Sequence, residues 1–454
     1  MSPNRFGFDK GKDARFAPSM KRRTFLATIG AGTLGSTLLG GSHQVLGEAA
    51  AKPPRGDVGR PVRNPYKHKN LTAKLPAWDG ATSSESTADS MRMFRGNLTH
   101  TFYGAGTLPS KLKLKWKFRM RDFTTTKHGK RHVWRGTGWT GQTLKYGDYV
   151  FVGSTGGHFH CFEANSGKLV WAYTANRSFK GSPCLYNNRI YVPNIDNYLR
   201  CLDAATGEVV WKWRGPKDMD SSPRIVNKTL YVGGEDGYVK AFNPDNGKLL
   251  WRKSFGVGRG EKPGSGGIES SLAIKDGIAY FGHLDGHVRA LRLSDQKQMW
   301  KTKIGGDTDA SPLIKGDRLY IGCQDGRANF HCLDLASGDH VWKTPIRSSI
   351  WSTAAWYDDR LYVGANNARL YCIDPKTGKP IWEYKAGKAI WSSPSVVDGK
   401  VLFGCYDPYY RMVDASSGKL LWKYDMGARS HSGACVMDGR VWVGAANGQY
   451  FCFG

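Results

Sequence analysis

The sequence predicts an all-β fold, an eight-bladed β-propeller of four-stranded antiparallel blades, and three observations predict it. First, eight tryptophans recur at one place in a repeating pattern: Trp116, Trp171, Trp211, Trp251, Trp300, Trp342, Trp382 and Trp422. The intervals are 55, 40, 40, 49, 42, 40 and 40 residues, a period near 40 with two insertions, and such a period marks a repeat architecture. Second, each unit reads like residues 221–254. Four short apolar or alternating runs, near 224–226, 230–232, 238–242 and 249–251, are separated by Asn-Lys, Glu-Asp-Gly and Pro-Asp-Asn-Gly turns, with no sustained helical period. Four strands per unit make one propeller blade. Third, the ends complement each other. The last unit stops at residues 449–454 after its third strand, and the tryptophan segment 111–121 has no three strands before it. Joined, they complete one blade, close the ring and remove two exposed sheet edges.

Segment 111–121 alternates cleanly. Lys111, Lys113, Lys115, Lys117, Arg119 and Arg121 face one way; Leu112, Leu114, Trp116, Phe118 and Met120 face the other. As the outer strand of its blade it presents six positive charges at the rim. They protect an edge, or they form a docking stripe for an acidic protein or lipid head groups. The nine cysteines do not read as a disulfide framework. Cys161, Cys201, Cys332, Cys372 and Cys452 share one third-strand position, which Ala241, Ala290 and Met412 fill elsewhere. A slot that accepts Cys, Ala or Met is a packing slot, and equivalent positions in different blades are too far apart to bridge. Mostly free, buried thiols are expected.

The formal net charge is +28, which favours acidic partners or polyanions when it is not simply solubilising; no nucleic-acid-binding motif accompanies it. Residues 1–51 read as an address. Lys21-Arg22-Arg23 leads into the weakly apolar, glycine-rich run 25–41 and then Ala49-Ala50-Ala51, the pattern of a twin-arginine export signal with a start at Met1 or Met20. The glycines make this run a poor membrane span, and no cysteine follows before Cys161, so a periplasmic mature chain with neither transmembrane nor lipid anchor is expected. Residues 52–91, rich in Pro, Lys, Ser and Thr, read as a linker to a propeller spanning 92–454.

Between third and fourth strands stand Asp203-Ala-Ala-Thr-Gly207, Asp334-Leu-Ala-Ser-Gly338, Asp374-Pro-Lys-Thr-Gly378 and Asp414-Ala-Ser-Ser-Gly418, each followed four residues on by tryptophan. The acid and hydroxyl accept turn hydrogen bonds and the glycine supplies a positive φ; the tryptophan wedges between blades. Arg292 and Gln296 depart from the pattern before Trp300. This D-x-x-[ST]-G-x-x-x-W unit, together with Met93-Phe94-Arg95-Gly96-Asn97, resembles the repeat of the pyrroloquinoline-quinone (PQQ)-type propellers over residues 92–454. That resemblance implies one of two functional classes. Quinoprotein dehydrogenases bind the quinone with Ca²⁺ on the propeller axis and oxidise alcohols or sugars. Non-catalytic relatives, such as the propeller subunit of the outer-membrane β-barrel assembly machinery, act through protein contacts.

Ligands in propellers sit in the axial funnel. Aligning the second strands places Thr140, Lys180, Asp220 and Glu269, then Asp309, Trp351, Trp391 and His431, in one ring at the starts of the innermost strands. Three acids in consecutive blades raise each other's pKa unless a cation neutralises them, and Ca²⁺ takes oxygen ligands of this kind. On a quinoprotein reading Asp220, Glu269 and Asp309 supply the metal ligands or the base, while Trp351, Trp391, Lys180 and His431 hold the cofactor. On the structural reading the funnel is simply wet, Lys180 and His431 balance the acids, and the two tryptophans plug the channel. No adjacent cysteine pair and no large extra loops are present. The two sizeable insertions, 122–138 and 252–266, are basic, with Lys127, Lys130, Arg131, Arg135, Arg259 and Lys262, and suit an anionic partner or solvent. His158-Phe-His160 puts two imidazoles on one strand face without a third ligand nearby, and His283-Leu-Asp285-Gly-His287 reads as turn chemistry. The expectation is an exported, monomeric scaffold that binds an envelope protein. The alternatives are a PQQ- and Ca²⁺-dependent dehydrogenase, and a polyanion or cell-wall glycan binder.

Overall fold

The computed structural model describes Tyr66 and residues 71–127, 130–136, 141–256, 267–324 and 329–454. The paired-arginine leader, Thr140, Arg259 and Lys262 lie outside the described residues. Eight four-stranded antiparallel sheets form an eight-bladed propeller. Seven blades span 144–174, 184–214, 224–254, 273–303, 313–344, 355–385 and 395–425. The eighth joins Cys435–Met437, Arg440–Gly444 and Gln449–Phe453 to Leu114–Arg119. The seam has the register Leu114↔Phe453, Trp116↔Cys452, Phe118↔Tyr450 and Arg119↔Gln449. The closing strand is shorter than the alternating segment 111–121, and one expectation for it is corrected. A bulge between Leu114 and Trp116 breaks the alternation, so Leu114 is 37% exposed rather than turned inward. All six basic side chains of that segment are exposed. All nine cysteines are free and buried, and no helix among the described residues is long and apolar enough to cross a membrane.

Three repeated devices hold the blades. In the first, six of the eight fourth-strand tryptophans donate a hydrogen bond to the next blade. Trp171 Nε1–H donates to Ala204 O at 3.1 Å, Trp211 to Pro244 O at 2.8 Å and Trp342 to Pro375 O at 2.9 Å. Trp116, Trp300 and Trp382 do the same to Ala164, Leu335 and Ala415. The acceptor always follows the turn acid or amide, and the ring lies on the turn glycine. Gly207 adopts φ +75°, and a β-carbon there would collide with the Trp171 ring.

In the second, an acid in the turn between second and third strands pairs with a base four residues on. Asp196–Arg200, Asp236–Lys240, Asp285–Arg289 and Asp407–Arg411 lie at 2.5–2.6 Å with the bases almost wholly buried. Asp285 also meets His283 and His287 at 3.1 and 3.2 Å, which makes that cluster turn chemistry. The third is a run of hydroxyls around the axis. Ser182, Ser222, Ser271, Ser311, Thr353 and Ser393 each accept from the backbone N–H of the equivalent residue one blade earlier, beginning with Gln142.

Residues 82–108 strap the opposite end of the barrel-like axis. The middle residue of an innermost strand leaves backbone groups unpaired, and the strap satisfies them blade by blade. Lys145 exchanges two bonds with Met91, Leu185 N–H donates to Arg92 O, and Ser84 N–H donates to Ile225 O. Ile274 and Ile314 donate to Leu98 and Thr99, Trp356 N–H to the Tyr103 hydroxyl, and Ala105 N–H to Val436 O. Burying those groups unpaired would cost about 1–3 kcal/mol each. The Arg95 guanidinium, also wholly buried, donates to the carbonyls of Pro394, Thr353 and Ala354.

Candidate functional site

Two chain segments from each blade frame the funnel. The connection from a fourth strand to the next first strand carries the residue expected from sequence. The turn between second and third strands stands over it, and one backbone bond ties the two together. Glu235 N–H donates to Asp218 O, Gln324 N–H to Asp307 O and Tyr406 N–H to Ala389 O, with matching bonds in four further blades. Each acceptor lies two residues before the ring residue, which fixes the height of both side chains at the mouth.

Seven of the eight expected ring residues line one axial cavity of about 180 Å³: Lys180, Asp220, Glu269, Asp309, Trp351, Trp391 and His431. Phe94 of the strap also lines it. The cavity divides into two chemically distinct walls.

The acidic wall differs from expectation in its composition. Asp220, Glu235 and Glu269 bring one carboxylate oxygen each within 4.8 Å of one another; Glu235, which the sequence reading missed, joins them from the turn between second and third strands and is not itself a lining residue of the cavity. Asp309 lines the cavity and accepts a 2.7 Å bond from Gln324 Nε2. The signal for Glu235 was in the sequence. It stands two residues after the second-strand glycine Gly233, as Gln324 and Tyr406 stand after Gly322 and Gly404. Those turn residues form a second ring above the first.

Lys180 Nζ lies 3.0 Å from Asp220 Oδ2. Asp220, then Glu269 and Glu235, hold the ammonium pKa above its ordinary value against the opposing effect of burial. Asp220 Oδ1, on a side chain only 8% exposed, has no hydrogen-bond partner. Burial, reinforced by neighbouring carboxylates, pushes Glu235 and Asp309 up to about 7 and Asp218 up to about 6. Glu269 is raised well above the carboxylate range for the same reasons. Part of this wall is therefore held as neutral acid, and a cation brought against it would favour the ionised form.

The aromatic wall is closed on itself. The Trp351 and Trp391 rings stack with centroids 4.0 Å apart and planes at 22°. Tyr406 meets the Trp391 ring edge-on at 4.4 Å and the His431 ring at 4.4 Å. Burial lowers the His431 pKa to about 3, so the ring is neutral. At van der Waals distance, two indoles admit nothing between them.

The other candidates lie elsewhere. Residues Phe123–Lys127 and Lys130–Trp134 pair as a separate two-stranded hairpin, which carries Lys127, Lys130 and Arg131 on its strands. Arg135 is exposed and stands 3.7 Å from Asp122. His158 and His160 are buried side by side, ring centroids 6.0 Å apart, each against the Tyr66 ring at 5.3 Å. Among the described residues the only group of three or more potential ligands is Asp220, Glu235 and Glu269.

Residues 114–344 and 346–451 match the protein family described as "Outer membrane protein assembly factor BamB". The chain belongs to this family. Comparison with curated protein sequences finds no match. Among solved structures, BamB from Moraxella catarrhalis is similar at TM-score 0.57 and 16% identity, covering 75% of this chain and 97% of that one. A europium-containing methanol dehydrogenase is similar at TM-score 0.67 and 15% identity, covering 81% and 98%. The quinohemoprotein alcohol dehydrogenase from Comamonas testosteroni gives 0.67 and 15%, covering 80% of each chain. At these identities the likeness is one of fold, and this BamB-family chain shares its architecture with BamB and with the dehydrogenases alike.

Proposed function

We propose that this BamB-family propeller is an exported scaffold of the cell envelope that acts by binding a protein partner. The observation that carries the reading is the stacked pair Trp351–Trp391 in a cavity of about 180 Å³. Pockets for small organic ligands occupy roughly 300–1,000 Å³. A flat tricyclic quinone needs a slot of its own size between the aromatic rings, and here the two indoles close on each other. The residues present do not fit that cofactor, so no oxidation step is assigned to Asp220, Glu269 or Asp309. The leader at Arg22-Arg23 supports twin-arginine export to the periplasm. The basic hairpin that carries Lys127, Lys130 and Arg131, with the exposed Arg135 beside it, supplies the contact surface for an acidic partner, the role a polyanion or glycan would otherwise fill.

A second reading has one observation in its favour. The oxygens of Asp220, Glu235 and Glu269 converge closely enough to ligate a hard cation such as Ca²⁺; bound there, it would neutralise the acidic wall.

The test is capture from envelope extracts with cross-linking, comparing wild-type protein with a Lys127→Glu/Arg131→Glu/Arg135→Glu variant. A specific partner retained by the wild type and lost from the variant is expected. Cofactor-dependent dye reduction with added quinone, Ca²⁺ and an alcohol panel would sink the scaffold reading.

A further inference from the structure

We infer that the funnel receives one organic cation, a guanidinium or ammonium group, between the carboxylates of Asp220, Glu235 and Glu269 and the indole wall of Trp351 and Trp391. The inference deepens the scaffold reading and rests on it for the carrier of that group, but not for the group's chemistry.

Four observations lead there. The acidic wall keeps an unsatisfied acceptor, Asp220 Oδ1, on a side chain more than nine-tenths buried. A buried carboxylate oxygen without a donor costs free energy that a hydrogen-bonding guest recovers. The wall already accommodates one ammonium, since Lys180 Nζ sits 3.0 Å from Asp220 Oδ2, and the carboxyl groups of Glu235 and Glu269 converge on that pair.

That same ammonium argues against a divalent metal. A divalent ion ligated by Asp220 would lie beside Lys180 Nζ and meet about twice the repulsion that a singly charged organic cation meets there. Ca²⁺ also takes six to eight oxygens, whereas three carboxylates converge here and Trp351 and Trp391 line the same cavity. Indole faces attract organic cations through the ring quadrupole, and contribute little to a strongly hydrated ion. A guanidinium is planar, weakly hydrated and able to grip a carboxylate while stacking on a ring, so it suits both walls at once. The cavity, about 180 Å³, has the volume of about six water molecules, enough for the head of such a group and not for a large ligand.

The sign of the whole molecule constrains the carrier. The chain has a formal net charge of +28, so a polycation is repelled before it reaches the mouth. The cationic group therefore belongs to a neutral or acidic carrier: a free small molecule, or an acidic protein that projects one arginine or lysine.

Calorimetric titration of the full chain tests this with four probes: N-acetylarginine amide, its neutral isostere N-acetylcitrulline amide, an acidic peptide bearing one arginine, and CaCl₂. Saturable binding of the arginine amide is expected, at least tenfold tighter than citrulline. Asp220→Asn and Glu235→Gln should each weaken it at least tenfold, with thermal midpoints recorded to show that both variants fold. A peptide bound tenfold tighter than the amide identifies a protein carrier; equal affinities identify a free ligand. Citrulline binding as well as arginine, or Ca²⁺ alone binding in an Asp220-dependent way, overturns the inference. Partner capture that persists while the arginine amide fails to bind removes this inference and leaves the scaffold; loss of capture with arginine binding intact does the reverse.

Discussion

The indole of Trp171 lies flat on the α-carbon of Gly207 in the next blade and donates its Nε1–H to Ala204 O. One residue thereby spends its apolar face and its single polar atom on the same neighbouring turn. Trp171→Ala should cost about 3–5 kcal/mol, as for other fully buried aromatics. Gly207→Ala should also destabilise strongly, because φ is +75° and the new β-carbon collides with the ring. Trp251 faces a blade whose turn carries Arg292 and Gln296 in place of acid and glycine, and its ring is only partly buried; Trp251→Ala should cost less than Trp171→Ala. Urea denaturation midpoints of the three variants check the order, and equal costs for the two tryptophans would contradict it.

Lys240 is 1% exposed and its ammonium is neutralised only by Asp236 at 2.6 Å. Burial pulls its pKa below the ordinary value even with that partner in place. Asp236→Ala should therefore destabilise by about 3–5 kcal/mol, because it strands a buried charge. Adding Lys240→Met should recover most of the loss. A double-mutant cycle measures this, and additive effects would show that the pair is not coupled.

Glu235 titrates at about 7 in the folded protein, against an ordinary value of 4.5. The folded state thus prefers the protonated form. That preference contributes stability fully below pH 4.5 and loses it as pH rises through 7. Glu235→Gln imitates the protonated state at every pH, so its stability relative to wild type should rise by about 1–3 kcal/mol between pH 4.5 and pH 8. Buried neutral histidines run the other way: His158, lowered to about 4 by burial, costs stability as pH falls below 6.5. For that reason the difference between variant and wild type, not either curve alone, is the measurement. A difference independent of pH would show that Glu235 carries no raised pKa.

Much of this was legible in the sequence because the fold is periodic. Eight tryptophans at one phase determine blade number, and their alignment places a ring from Lys180 to His431 without any coordinates. The misses share one cause. Glu235, Gln324 and Tyr406 reach the axis from a different segment of the blade, and a single aligned column cannot reveal a second column stacked above it. The bulge at Leu114 was hidden because strict alternation on paper carries no record of a register slip. Nor does a sequence show that Trp351 and Trp391 turn toward each other: neighbouring columns in a ring tell which residues meet the axis, and the rotamers decide whether they leave a gap.

The pairing of Leu114 with Phe453 has a kinetic side. A chain leaving the ribosome makes the first of these strands early and must wait for the other until more than three hundred further residues have emerged. Bringing such distant segments together costs on the order of 5 kcal/mol of chain entropy, repaid only once the blades between them have stacked. Circularisation is therefore expected to come last in folding, and until it occurs two raw sheet margins would stay open to any passing polypeptide.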